Sequence, residues 1–239
     1  MRLVDITNDL APSGTLRASI NLGNPVLAQG TPDAPAGVTV DIARELGSRL
    51  GIPVELICFD AARDSFEAMA AGRADICFLA VDPAREETVA FTAPYALIEG
   101  VFAVRDDSPL TSATDVDRPG VRVGVKKGSA YDLFLTRTLA HAEVVRGSEG
   151  TATFTEQQLE VAAGIRQPVV DFVATHPGTR LLEPCFMEIQ QAVGTTRTRS
   201  PQTVGFLRTF VEDLKVTGFI AEALIRSGRH DATVAPPAA

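Results

Sequence analysis

Apolar strands alternate with helices along the first 81 residues, and this order restricts the chain to the α/β fold class. The strand-like segments are residues 16–21, 53–59 and 75–81. Residues 40–51 place apolar side chains four apart and end in Gly51, which indicates an amphipathic helix with a C-terminal glycine cap. A shorter helix is predicted at 65–71. Strands separated by helices predict parallel pairing with right-handed crossovers.

The same pattern starts again after a polar, turn-rich stretch at 105–120. It predicts the following elements: a strand at 121–125, a helix at 130–139, a strand at 160–164, a helix at 168–175, a strand at 186–193, helices within 203–226 that break near Gly218, and a disordered tail at 231–239. The 239 residues suffice for two lobes of about 100 residues each. We expect lobe 1 to comprise 1–102 and 192–239, and lobe 2 to comprise 103–191, with crossing strands near 100–104 and 190–193.

Composition and charge limit the classes of partner and of chemistry. A net charge of −8 and a pI near 4.9 disfavour nucleic acid and anionic membrane. No apolar run reaches the ~20 residues that span a bilayer, and residues 1–13 lack a signal-peptide core. Either an export signal has been removed or the protein works in the cytoplasm, and the sequence leaves both readings open.

The residues that usually carry catalysis or metals form no recognisable arrangement. Three cysteines lack metal-type spacing and are predicted to be small core residues, with a Cys58–Cys77 bridge between neighbouring strands as an alternative. No Ser-His-Asp or Cys-His arrangement is visible, so we expect neither catalysis nor a cofactor.

Four motifs follow one another in a specific order: GTLR at 14–17, GVTVDIA at 37–43, AGRADI at 71–76 leading to Arg85 and AFTAPY at 90–95, and VGVKKGSA at 123–130. Together they resemble the bacterial extracellular solute-binding proteins of family 3, the polar-amino-acid class with a type II periplasmic-binding-protein fold. The resemblance covers about residues 12–228. It implies two α/β lobes joined by a two-strand hinge, which close over a small ligand. The protein would then be a periplasmic or extracellular monomer that serves an ABC permease.

The resemblance also implies a set of ligand-binding residues: Asn21, Asn24, Phe59, Ala80, Asp82, Arg85, Gly128, Ser129, Ala130 and Arg166. Arg85 matches the arginine that family members use against the ligand carboxylate. Gly128, Ser129 and Ala130 match a loop whose amides, at a helix N-terminus, receive the same carboxylate.

Structural roles compete with several of these assignments. Arg85 could be a surface arginine beside a helix, or it could pair with Glu86 or Glu87, and Ser129 could be an N-cap of the following helix. Asn21 and Asn24 could form turns beside a proline, and Phe59 could belong to the core.

The chain departs from the family at the position that should bind an α-ammonium group. An acidic residue is expected after the strand at 160–164, but the chain has Arg166 there. Without a countercharge, burying an ammonium would be unfavourable by several kcal/mol. We therefore expect a small carboxylate rather than an ordinary α-amino acid. The alternatives are a cyclohexadienyl dehydratase-like enzyme that uses Glu99 or Asp82 as its acid, and a signal-less cytoplasmic binding or sensor protein.

Overall fold

The computed structural model describes residues 2–229 and 232–238, and the chain divides into two compact units. Unit 1 comprises Met1–Leu97 and Gln190–Ala239, and unit 2 comprises Ile98–Ile189. The lobe limits expected from the sequence, at 102/103 and 191/192, stay a prediction.

Helices and strands alternate along the N-terminal part of unit 1, except that two short strands follow the first strand directly. In chain order its elements are α1 (Leu3–Leu10), β1 (Leu16–Asn21), β2 (Gln29–Thr31), β3 (Ala34–Ala36), α2 (Val38–Leu50), β4 (Val54–Phe59), α3 (Ala62–Ala70), β5 (Ile76–Ala80), α4 (Pro83–Glu86) and β6 (Val89–Arg105), which continues into unit 2.

Unit 2 repeats the alternation, and the chain then returns to unit 1. The elements of unit 2 are a 3-10 turn (Ala113–Asp115), β7 (Arg122–Lys126), α5 (Ala130–Thr138), β8 (Glu143–Gly147), α6 (Gly150–Glu156), β9 (Val161–Ile165), α7 (Arg166–Thr175) and β10 (Thr179–Thr196), which runs back into unit 1. The C-terminal elements are α8 (Pro201–Val216), α9 (Phe219–Arg226) and β11 (Ala232–Val234).

The strands of unit 1 pair in the order β4-β1-β5-β10. β1 is parallel to both β4 and β5, as the sequence predicts, and β10 is antiparallel to β5. Every residue of β5 is buried, which explains its continuous apolar sequence. Helix α2 ends at Gly51, whose φ of 67° lies in the left-handed region that suits glycine at a helix C-terminus.

The strands of unit 2 pair in the order β6-β9-β7-β8. β7 is parallel to β8 and to β9, and β6 is antiparallel to β9. The first four residues of β9 are buried. Neither β8 nor α6 was predicted from the sequence, and for β8 the reason is that residues 143–147 mix charged and glycine residues with only two valines.

The suggested disulfide is wrong. Cys58 lies on β4 and Cys77 on β5, but β1 pairs with both strands and separates them. All three cysteines are free thiols. Cys77 is fully buried, and burial raises the pKa of its thiol to about 12, so it behaves as the small core residue that the sequence predicts.

The prediction of a disordered C-terminal tail is also wrong for the residues that can be described. β11 pairs with β6, and the amide of Ala235 donates to the Tyr95 carbonyl. The ammonium group of Lys215 donates to the Pro236 carbonyl at 2.8 Å. In each of these bonds the tail contributes a backbone group, which apolar periodicity does not reveal. Asp231 and Ala239, the first and last residues of the predicted tail, lie outside the described residues.

A buried carboxylate ties several elements of unit 1 together. Asp75, just before β5, is fully buried and accepts two guanidinium hydrogen bonds from Arg17, at 2.8 and 3.1 Å, and one from Arg199 at 3.1 Å. It also accepts the backbone amide of Arg17. Two cations and a backbone donor therefore compensate the charge of this carboxylate, as a buried ionised group requires.

Candidate functional site

Six of the predicted ligand-binding residues lie at one edge of the sheet of unit 1. Because β1, β4 and β5 run parallel, their carboxyl ends meet at the same edge. Asn21 pairs in register with Phe59, and Ala80 ends β5. This edge is where open α/β sheets generally bind ligands.

Arg85 is buried at this edge rather than displayed on the surface. It lies on α4, directly after β5, and only 3 % of the residue is exposed. Its Nη1 donates to the Ala80 carbonyl at 3.0 Å, and burial lowers the pKa of the guanidinium. The alternative of an exposed surface arginine is therefore wrong. A guanidinium stays protonated in proteins, so Arg85 is a buried cation.

Asp82 fixes the helix that carries Arg85. Its Oδ1 accepts the amide of Ala84 at 2.9 Å, so Asp82 is the N-cap of α4, and Pro83 occupies the first helical position. Asp82 thereby fixes the start of the helix that carries Arg85, and the Ala80 carbonyl accepts a hydrogen bond from the guanidinium and holds it at the edge of the sheet.

The two asparagines serve the turn after β1. Asn21 Oδ1 accepts the amide of Gly23 at 3.0 Å, and Asn24 Oδ1 accepts the amide of Val26 at 3.2 Å. The turn-forming alternative is confirmed for both residues. A direct role in ligand binding stays a prediction for Asn21 and Asn24, and also for the half-buried Phe59.

The other four predicted residues lie at one edge of the sheet of unit 2, because β7 and β9 are also parallel. Ser129 caps α5: its hydroxyl accepts the amide of Asp132 at 3.0 Å, which confirms the N-cap role. Two of the three predicted loop amides are used inside the loop. The amide of Gly128 donates to the carboxylate of Asp132 at 2.8 Å, and that of Ser129 donates to the Lys126 carbonyl.

Asp132 and its partner Arg146 were not predicted from the sequence. Asp132 is buried, and its carboxylate also accepts from the hydroxyl of Thr136 and from Nε of Arg146 at 2.9 Å. Arg146 lies on β8, 14 residues away, and β8 itself was missed. Asp132 holds the Gly128–Ser129 turn in place through the Gly128 amide, and Arg146 compensates the charge of the Asp132 carboxylate in the first turn of α5.

Arg166 is the first residue of α7, directly after β9, and two carboxylates surround its guanidinium. Nη1 and Nη2 donate to Oε1 and Oε2 of Glu183 at 2.7 and 3.1 Å, and Nε donates to Glu99. The three side chains carry a net charge of −1 by formal count, so the expectation that no acidic countercharge lies at this position is wrong. Glu99 and Glu183 lie 67 and 17 residues from Arg166, and nothing in the local sequence predicts the contact.

Each edge therefore carries an arginine, Arg85 in unit 1 and Arg166 in unit 2, and only Arg166 lies between two carboxylates. Within residues 2–229 and 232–238, no group of three or more His, Cys, Asp or Glu side chains could hold a metal ion. In the same part of the chain, no helix has the length and apolar character needed to cross a membrane.

Comparison with known families and structures agrees with this architecture. A family model described as bacterial extracellular solute-binding proteins, family 3, matches residues 21–226. A mutant of ArgBP from T. maritima has 18 % sequence identity and a TM-score of 0.74, over 93 % of this chain and 99 % of that one.

Two further solved structures are similar over nearly the whole chain. The amino acid ABC transporter substrate-binding protein AbpA from Streptococcus pneumoniae, bound to L-arginine, has 18 % identity and a TM-score of 0.72, over 91 % of this chain and 96 % of that one. The ancestral amino acid-binding protein AncCDT-1, a precursor of cyclohexadienyl dehydratase, has 19 % identity and a TM-score of 0.72, over 94 % and 98 %. At these identities the likeness shows the fold.

Proposed function

Because this chain belongs to the bacterial extracellular solute-binding proteins of family 3, we propose that it captures a small carboxylate-bearing solute, an organic acid or an amino-acid-like molecule, for an ABC-type importer. Its architecture is the type II periplasmic-binding-protein fold that the resemblance predicted. The proposal goes beyond family membership in naming the carboxylate, and the buried guanidinium of Arg85 is the observation that carries it.

Arg85 has the properties of a carboxylate-binding group. It is a permanent cation at the carboxyl edge of parallel strands, in a protein whose net charge is −8. A guanidinium offers five N–H donors in a planar fork that matches a carboxylate, and hydrogen bonds to it strengthen when water is excluded. The Ala80 carbonyl and the Asp82-capped helix hold it in place, so little side-chain entropy remains to be lost on binding.

The amino-acid-like option gains support from the relatives. AbpA binds L-arginine, and AncCDT-1 is described as an amino acid-binding protein. An amino acid brings both a carboxylate and an ammonium group. The carboxylates beside Arg166 provide acceptors for a cationic group, which the sequence alone did not reveal.

Calorimetric titration and thermal-shift assays with two ligand panels test the proposal. One panel contains amino acids, including L-arginine and L-glutamine, and the other contains organic acids, including succinate and citrate. We expect a member of one panel to bind and Arg85→Gln to weaken that binding at least about 30-fold, because the ligand carboxylate loses its charged partner. The matched control is Arg73→Gln, which removes an exposed arginine of the same unit. Equal affinity in Arg85→Gln and the wild type would reject the assignment of Arg85. Absence of binding in both panels would reject the proposal as a whole.

The likeness to AncCDT-1 favours one other candidate, an enzyme on the same fold. Both candidate acids are already engaged, Asp82 as a helix cap and Glu99 with Arg166, and an ion-paired carboxylate is a poor proton donor. Incubation with prephenate and with arogenate separates the two functions. Product formation would contradict a pure binding role, whereas ligand-dependent stabilisation without turnover supports it.

The proposed importer role requires the protein to act outside the cytoplasmic membrane. Fractionation of cells that express the complete natural gene product tests this requirement. Recovery in the cytoplasmic fraction would favour the cytoplasmic sensor instead.

A further inference from the structure

We infer that Glu183 competes with the ligand for Arg166, so that unit 2 accepts an anion at this guanidinium only when the glutamate is displaced. This inference rests on the proposed function, because it requires a carboxylate ligand. It adds an internal competitor and names the class of ligand that can displace it: a carboxylate able to form two parallel hydrogen bonds with a guanidinium.

Glu183 occupies Arg166 in the geometry that a ligand carboxylate would adopt. Its two oxygens accept from Nη1 and Nη2, at 2.7 and 3.1 Å, which is the bidentate arrangement of arginine–carboxylate recognition. The hydrogen bond from Arg166 holds the pKa of the Glu183 carboxyl below its usual value, so Glu183 is ionised at neutral pH.

Glu99 closes the second edge of the same guanidinium. A carboxylate can approach a guanidinium with two parallel bonds along the Nη1/Nη2 edge or along the edge that contains Nε. Glu183 takes the first, and Glu99 binds at Nε. An incoming ligand therefore finds both edges filled and has to replace one of the glutamates.

Glu183 is the glutamate that is easier to displace. Its side chain is 60 % exposed, against 46 % for Glu99. The Glu183 carboxylate is therefore already largely in contact with water and can rotate away from Arg166 with little change in hydration. Among the described residues, only the guanidinium of Arg166 donates hydrogen bonds to the Glu183 carboxylate. Exposed ion pairs contribute little net stability, so a ligand carboxylate can exchange with Glu183 at a small penalty.

Electrostatics adds to the competition. With both glutamates in place the cluster has a formal charge of −1 and repels an anion. Replacing Glu183 by glutamine keeps the size of the side chain, removes this charge and weakens the bidentate contact. Anion binding should then improve, because the glutamine amide can accept at most one of the two guanidinium hydrogen bonds and carries no charge.

The test measures the affinity of succinate for the wild type and for Glu183→Gln by calorimetry at constant ionic strength. Succinate is used up to 50 mM so that weak binding is also measured. We expect Glu183→Gln to bind about three- to tenfold more tightly, the size of effect that removal of one exposed competing charge produces. The control is Glu188→Gln, which removes the same charge from the same strand at an exposed position and should change the affinity less than about twofold.

The outcomes separate this inference from the proposed function. If Glu183→Gln leaves the affinity unchanged or weakens it, while Arg85→Gln still weakens binding as expected above, the competition is overturned and the binding function stands. A fall in melting temperature without a gain in affinity would assign Glu183 a purely structural role. If succinate and the amino acids fail to bind either protein, the competition and the proposed function fall together.

Discussion

Unit 1 and unit 2 place an arginine at equivalent points of their topology but surround it differently. Arg85 and Arg166 each follow a strand at the carboxyl edge of a parallel sheet. The first is buried and donates to a backbone carbonyl, whereas the side chain of the second is 25 % exposed and lies between two carboxylates. Topology brings a cation to both edges, and the neighbouring acids decide how much of its charge remains for a ligand.

The contrast extends to the charged groups that stabilise each unit. Unit 1 encloses Asp75 completely and pairs it with two arginines. In unit 2 the comparable pair, Arg122 with Glu160, remains partly exposed at 2.9 Å. Water screens the second pair more strongly than the first, in which the carboxylate is fully buried, so the two sites should contribute very different amounts of free energy.

The largest effect is expected for Asp75→Asn in unit 1. The substitution leaves Arg17 and Arg199 without a carboxylate in the interior, and removal of one partner of a buried pair lowers the free energy of unfolding by about 3–5 kcal/mol. Urea unfolding followed by circular dichroism measures the change. Asp64→Asn is the control, because the Arg63–Asp64 pair of the same unit is exposed. A loss no larger than that of the control would show that burial does not distinguish these pairs.

The next effect concerns ligand affinity and compares the two arginines directly. Arg85→Lys and Arg166→Lys each keep the positive charge and remove the planar fork. We expect Arg85→Lys to weaken ligand binding about tenfold or more, because a buried bidentate contact is lost. Arg166→Lys should weaken it by less than about threefold, because Glu99 and Glu183 already neutralise that guanidinium.

Calorimetric titration of both variants with the same ligand provides the measurement. Unfolding curves recorded in parallel show whether either substitution disturbs the fold. Equal losses in the two variants would remove the distinction between the arginines.

A third effect tests how unit 1 holds its C-terminal segment. Lys215 is almost fully buried, and its ammonium group donates to the carbonyls of Pro94 and Pro236 at 3.3 and 2.8 Å. Lys215→Met retains the apolar stem but removes the partner of these carbonyls and of the Glu212 carboxylate, which lies 2.6 Å from the ammonium group. We expect a loss of about 1–3 kcal/mol in the free energy of unfolding. Faster amide exchange at Ala235 should accompany it, since this amide donates to Tyr95 beside the same segment.

Arg208→Met is the matched control, because it removes an exposed cation from the same helix. Equal stability and equal exchange at Ala235 in the two variants would show that Lys215 does not anchor the segment.

The sequence was sufficient to predict the parallel strands and the sheet edges where the candidate residues lie. Both follow from the order of strands and helices, which apolar periodicity and the glycines at helix ends indicate. Gly51 and Gly218 end their helices with positive φ, at 67° and 81°, as the sequence suggested. The resemblance, not the periodicity, led to Arg85. Contacts between residues that are far apart in the sequence could not be predicted. The partners of Arg166 depend on strand register, and the position of the C-terminal segment depends on backbone hydrogen bonds to β6.

The smallest effect is expected at the exposed pair of unit 2 and appears in its pH dependence. The hydrogen bond from Arg122 lowers the pKa of Glu160 below its usual 4.5. A carboxyl group whose pKa is lowered by folding contributes stability above its unfolded pKa and loses it as the pH falls through the folded pKa. Glu160→Gln should therefore lower the free energy of unfolding by less than about 1 kcal/mol at pH 7, and this difference should shrink below pH 4. Urea unfolding of both proteins between pH 7 and pH 3 measures it. A difference that grows on acidification would mean that the Glu160 carboxylate is disfavoured in the folded unit, and that the exposed pairs of unit 2 do not act as this comparison requires.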